Sequence, residues 1–208
     1  MPLIMHADNI EWADTIEAVR KEIKDQKGDW KAGDDRCPPF TWRGYVYRDL
    51  EGKHVSIPTE LLGSCLRRAG ATMELKKQET FKRLTQSGIL FDGMDAEFFN
   101  DGKPIRVADV DGIEGKFPDH LAAAKKLGFE LFVKRVVIGQ SKHVRVRAMF
   151  RKWTARVGFT VIDDRLTFDI LKEIWARAGR WAGLCDWRPG SPRSPGPFGT
   201  FEAKVVRA

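Results

Sequence analysis

The sequence predicts a single α+β domain over residues 1–208 whose regular elements run β-α-β-β-α-β, with a large insertion at about 88–128. Three observations carry this. Leu62, Cys65, Leu66, Ala69 and Met73 form an apolar stripe at helical spacing; a strongly cationic, β-patterned stretch follows from Leu131 to Ile162; and a second amphipathic helix, about Thr167 to Trp181, leads through a Gly/Pro-rich loop into a short apolar tail. Strand, helix, two strands, helix, strand is the split βαβ order of the ferredoxin-like, RRM-like fold.

The first strand has two candidates, Leu3–Met5 and Tyr45–Asp49. Between them, Ile10, Ala13, Ile16, Val19 and Ile23 predict a helix over about Asn9 to Lys27, and the Gly, Asp and Pro residues up to Pro39 predict a loop. Tyr45 to Ser56 reads as a hairpin turning at Glu51-Gly52. Pro58 and Glu60 suit the first turn of a helix over 58–74, because proline lacks only an N–H that would be unpaired there and an acid favours the positive end of the helix dipole. Residues 91–126 show little periodicity, carry a turn signal at Asn100-Asp101-Gly102 and a short helix near Asp119 to Leu127, and read as an insertion. Leu131–Ile138 and Trp153–Ile162 are the next strands, Thr167 begins the last helix with Phe168, Leu171, Ile174, Trp175 and Ala178 inward, and Thr200–Val206 closes the sheet.

Hydrophobic residues at 42% and charged residues at 31% describe an ordinary globular chain. No apolar run reaches membrane-spanning length, and Met1 to His6 is too short and uncharged for a signal peptide, so the sequence predicts a cytoplasmic protein with no membrane partner. Cys37, Cys65 and Cys185 are far apart and form no CxxC pair, which argues against a disulfide framework or a zinc knuckle. There is no Walker loop and no Rossmann fingerprint, so no cofactor is expected.

The net charge of +7 is unevenly spread. Lys134, Arg135, Lys142, Arg145, Arg147, Arg151, Lys152 and Arg156 fall in one stretch without an acid, and a period of two sets His143, Arg145, Arg147 and Arg151 on one face of an extended segment. Like charges repel, so such a face suits a polyanion, although a solvated ribbon face is the plainer reading. In the loop, Arg188 and Arg193 supply charge, while Trp187 and Phe198 offer flat apolar surface for base stacking. Trp187 is equally well read as a core plug that pins the loop. Arg67 or Arg68, directly after the helical stripe, can anchor a phosphate, and Arg67 is the candidate. Trp153 adds a third stacking surface.

Ile57-Pro58, Leu62, Leu66-Arg67-Arg68-Ala69, the arginine-rich hairpin and Gly183-Leu-Cys-Asp-Trp-Arg-Pro189 with Gly199-Thr-Phe201 resemble the RAMP superfamily, and within it the backbone subunits of CRISPR effector complexes and their phage-encoded relatives. The resemblance implies a modified RRM fold, binding along a single strand, and subunits stacked into an oligomer or filament. The loop departs from the pattern at Pro192, Pro195 and Pro197, and lacks the denser glycines of the RNA-processing members.

Together these features predict non-catalytic binding of single-stranded DNA or RNA, with Arg67, Lys134, Arg135, Lys142, His143, Arg145, Arg147, Arg151, Lys152, Trp153, Trp187, Arg188, Arg193 and Phe198 as ligand contacts and no metal. Two alternatives stand beside it. One is a guide-RNA-binding backbone subunit active only within a larger complex; the other is a protein-interaction module for an acidic partner. A distant fourth reading, an endoribonuclease, would use His143 as general base.

Overall fold

The computed structural model describes residues 1–10, 12–15, 17, 18, 41–138, 141–192 and 194–207, with backbone alone at 136–138 and 141–143. The expected helix over 9–27 lies mostly outside the described residues, as do the loop that follows it, Cys37 and Arg193. In chain order the described elements are β1 (Leu3–Ile4), a 3-10 turn (Thr41–Tyr45), β2 (Ser56–Pro58), α1 (Thr59–Gly70), β3 (Glu74–Lys76), β4 (Glu79–Thr80), α2 (Lys82–Ser87), β5 (Ile89–Phe91), β6 (Asp95–Asn100), α3 (Val107–Asp111), α4 (Phe117–Lys126), β7 (Glu130–Ile138), β8 (Ser141–Phe150), β9 (Trp153–Arg156), β10 (Phe159–Val161), α5 (Phe168–Arg177) and a π-helical turn (Ala178–Ala182).

The chain is α+β, with small antiparallel sheets ordered β1-β8-β7, β2-β6-β9, β5-β10 and β3-β4. Both predicted helical stripes are buried as their spacing requires. Leu62, Cys65, Leu66 and Ala69 of α1 join Leu171, Ile174 and Trp175 of α5 in one core with Ala178 and Leu184. Leu3, Val146, Ala148, Phe150 and Leu131 line the inner face of β1-β8-β7, and Trp42 and Phe129 pack there too.

Four expectations change. The span 153–162 is two strands in two sheets, β9 on β6 and β10 on β5, broken at Val157-Gly158, where the Gly158 carbonyl accepts from the Asp92 amide. The strand that pairs with β7 is instead β8, the alternating segment 141–150. The segment 88–128, expected as an insertion, is woven into the core. β6 is the middle strand of its sheet, with Ala96 and Phe98 fully buried, and Ile105, Val107 and Val110 are buried behind it. Its sequence Asp-Ala-Glu-Phe-Phe-Asn does alternate, but it is short and ends on polar Asn100, whose side chain turns inward and donates to the carbonyls of Leu127 and Gly128. Finally, Thr200–Val206 joins no ladder. The turn at Asn100-Asp101-Gly102 forms as expected, with Asp101 and Gly102 at φ 49° and 78°. The 45–56 hairpin reduces to a single bridge, Arg48 with Val55, around the turn at Gly52.

Candidate nucleic-acid interface

The register of the β7–β8 ladder sorts the cationic stretch. Leu131 faces Ala148, Val133 faces Val146 and Arg135 faces Val144 on one side, which is core at Leu131, Ala148 and Val146 and exposed at Val133 and Arg135; Phe132 faces Arg147 and Lys134 faces Arg145 on the other side. A lone ribbon would leave that second face in water. Here the loop 183–199 lies on it. Trp187 and Phe198 pack on each other (centroids 5.3 Å apart) and on Phe132 (6.1 and 5.3 Å), making a half-buried aromatic trio. The Lys134 ammonium sits over the Trp187 ring, 2.8 Å from its centroid. Burial pushes that ammonium below its ordinary pKa and Arg147 adds to the effect, while Asp186 opposes it. A cation over an indole face is attracted by the ring quadrupole, increasingly so as water is removed.

Arg147 is 13% exposed, and its Nε lies 2.8 Å from Asp186 Oδ2. That N–H is not aimed at an acceptor, so the contact is an ion pair. Its Nη2 donates to His6 Nδ1 at 2.8 Å. Arginine only donates, so in this contact Nδ1 accepts. Burial raises the Asp186 carboxyl, but His6, the Arg147 charge and the Trp187 amide outweigh this and hold it below its ordinary value. Arg145 donates to Tyr45 Oη, and Tyr45 stacks edge-on against His6 at 4.7 Å. The two central arginines, expected to be open to phosphates, are thus partly committed to a His6–Tyr45–Asp186 network.

The loop glycines serve that closure. At Gly199 (φ +72°) a Cβ would stand 2.0 Å from the Leu184 carbonyl oxygen, and at Gly196 a Cβ would stand 2.2 Å from the Trp187 ring. They let the loop fold on itself rather than open it to a ligand. Leu184 N–H donates to Gly199 O, Asp186 N–H to Ile4 O and Phe198 N–H to Trp187 O. Cys185 and Trp187 both take positive φ, 60° and 48°, a conformation that costs a non-glycine residue about 1–2 kcal/mol and is held by these bonds. Arg188 donates to the Cys185 carbonyl and Arg68 to the Gly190 carbonyl, so both brace the loop. Trp187 therefore pins the loop, as the plug reading expects, and part of its ring stays exposed.

The remaining predicted contacts lie elsewhere. Arg67 stays on α1, reaching Ser64. Arg151 forms a two-pronged pair with Glu130 (2.6 and 2.9 Å), Lys152 stands 3.7 Å from Asp101, and Trp153 donates to the Met1 carbonyl. These three line a separate groove beside β9. Arg135 is exposed on β7, opposite Val144. The side chains of Lys142 and His143, and all of Arg193, fall outside the described residues.

No protein-family model matches this chain, and neither a curated protein nor a solved structure is significantly similar to it.

Among the described residues no group of three or more His, Cys, Asp or Glu side chains is placed to hold a metal ion. Cys65 and Cys185 are free and buried; burial pushes the Cys65 thiol up to about 12 and Cys185 further in the same direction, so neither is a ready nucleophile. His120 is a core residue whose Nδ1 accepts from the Trp42 indole, with burial and Arg43 lowering its pKa. No helix among the described residues is long and apolar enough to cross a membrane.

Sequence reasoning missed Phe132, the floor of the aromatic trio, and the partners His6, Tyr45 and Asp186. Phe132 was within reach, since it lies two residues before Lys134 and shares its face. Asp186 lies two residues before Arg188, and nothing local in the sequence points to its partner Arg147.

Proposed function

We propose that this protein binds single-stranded nucleic acid, DNA or RNA, without catalysis, on the outer face of the β7–β8 hairpin. The observation that carries this reading is the half-exposed Phe132–Trp187–Phe198 trio with the Lys134 ammonium over it. Bases stack on aromatic faces for about 1–3 kcal/mol each whatever their identity, and neighbouring cations take the phosphates. Little sequence preference follows, because the site offers rings and charge rather than a pattern of hydrogen-bonding groups. Arg145 and Arg147 set the field of the face, while Lys134, Trp187 and Phe198 make contact.

The order β1-β8-β7 supports a ferredoxin-like core with 141–150 as third strand, because strand one beside strand three beside strand two is the split βαβ arrangement. The bonds from Asp186 N–H to Ile4 O and from Gly199 N–H to Pro2 O run the two ends of the loop 183–199 beside β1, the side a fourth strand takes in that arrangement. With the RAMP-like motifs, this favours subunits repeated along one strand, either alone or around a guide RNA in a larger complex. The fold by itself does not fix the function.

Fluorescence anisotropy with labelled oligothymidylate, oligouridylate and a duplex tests the reading. Single strands should bind more tightly than duplex, with log K falling against log salt by about 0.7 per phosphate neutralised. Equal affinity for heparin and both single strands would overturn it in favour of a general acidic partner.

A further inference from the structure

The sheet β2-β6-β9 ends in an open edge. β9 pairs with β6 on one side, and its other side has no ladder partner among the described residues. Across a groove of about 1010 Å³ from it runs the C-terminal segment 200–206. Phe201 fixes the start of that segment: its N–H donates to Gly179 O and its ring packs against Trp153 and Trp175. Arg207, over the Phe168 ring, fixes the end. Residues 202–206 make no backbone hydrogen bond among the described residues.

Both banks of the groove are lined by consecutive residues, 151–157 on one and 200–206 on the other. A strand seen face-on contributes every second residue, whereas a strand seen from its edge contributes them in a row. One bank thus carries the unpaired edge of β9, and the other carries 202–206, whose N–H and C=O groups have no backbone partner among the described residues. Such edges are templates for a further strand.

We infer that this groove takes an extended polypeptide strand from a partner protein, added to β9 by main-chain hydrogen bonds with the 200–206 segment as the opposite bank. The groove's side chains specify the chemistry of the incoming strand. Trp153, Phe159, Trp175 and Phe201 make one side apolar. Thr154 and Arg156 point to solvent on the other, and Lys152, Arg156 and Lys204 line the groove against the lone acid Glu202. A strand that alternates apolar residues with acids fits both sides at once. A nucleic acid fits less well, since phosphates accept hydrogen bonds and leave the carbonyls of both edges unanswered.

The test uses the full chain and a fluorescein-labelled peptide of about eight residues, enough to run the length of the banks at about 3.3 Å per residue. Its sequence alternates valine and glutamate. It should bind saturably, and its counterpart N-methylated at alternate residues should bind at least about tenfold more weakly, because it loses the donors to one edge. A valine–lysine peptide should also be weaker, and the charge-reversed variant Arg156→Glu/Lys204→Glu should exchange the two preferences. Both positions are exposed, so circular dichroism of the variant should be unchanged. No saturable binding, or equal binding of the N-methylated peptide, would overturn the inference. So would displacement of the peptide by oligothymidylate, which would give the groove to nucleic acid. A dimer in sedimentation that the peptide dissociates would give it to a second copy. Oligonucleotide binding at the β7–β8 face is read out separately with unlabelled peptide in excess, so failure of either assignment leaves the other standing.

Discussion

The β7–β8 face and the β9 groove use the same kinds of side chain to opposite ends. On the first, cations and aromatics meet a loop of the same chain that stacks on Phe132 and brings Asp186 to Arg147. β7 is an edge strand there, but the loop's own main chain is bonded to itself and to β1. On the second, Trp153, Arg156 and Lys204 border the free edge of β9 and a segment, 202–206, without backbone bonds among the described residues. The first face is covered by its own chain and presents only the outer sides of a few rings and the Lys134 head. The second has no such cover. A high local density of positive charge is therefore a poor guide to where a polyanion binds, because the acids that answer it arrive from elsewhere in the chain.

The sharpest way to break this comparison is Arg147→Glu. It would set a carboxylate beside Asp186 in a site that is mostly shielded from water, and removing one partner of such a pair leaves the other charge unanswered. Allowing for the partial exposure of Asp186, a loss of about 2–4 kcal/mol is expected, seen as a fall in Tm of roughly 5–15 °C. If the melting curve did not move, Arg147 would be a free surface arginine and the closed face would be open.

A second test sharpens the role of Asp186. Its folded-state pKa lies below the unfolded value of about 3.9. The ionised carboxylate thus contributes stability that is fully present above the unfolded value and is lost as pH falls through the folded one. Asp186→Asn should be less stable than the parent protein near neutrality, by about 1–2 kcal/mol, and the gap should begin to close only below about pH 4, as the folded carboxyl takes up its proton. Parallel stability curves from pH 7 to pH 2 would remove Asp186 from the network.

Smaller effects are expected at exposed pairs. Arg151→Ala breaks the pair with Glu130 at a side chain 61% exposed and should leave Tm nearly unchanged. Cys65 and Cys185 should resist an aromatic disulfide reagent in the folded protein and react at ordinary rates in denaturant, since both thiols are buried and held protonated. Rapid labelling of either without denaturant would mean the loop 183–199 opens readily.

How much of this was legible in the sequence differs by element. The stripes of α1 and α5 were readable because burial on one side leaves a 3.6-residue period that no partner can disguise. β7 and the alternation of β8 were readable for the same reason at a period of two. Trp153–Ile162 looked continuous because Val157-Gly158 is a weak break in composition, yet it is where the chain passes from one sheet to another. Thr200–Val206 has the composition of a strand, but strand pairing is a relation between segments, and its neighbour across the groove lies too far off to form a ladder. The charge reading failed in part for a related reason. Glu130, Asp101 and Asp186 all lie outside the acid-free stretch that they neutralise.

The measurement that bears most directly on the proposed function is anisotropy of labelled oligothymidylate and oligouridylate with the parent protein and with Lys134→Gln, across a salt series. Glutamine removes the charge without setting a second carboxylate near Asp186, so the variant should stay folded, with unchanged circular dichroism. Expected is single-strand binding by the parent, at least about threefold weaker in the variant, with a salt slope shallower by about 0.7 for one phosphate lost. Unchanged affinity and slope in a folded variant would contradict binding at this face.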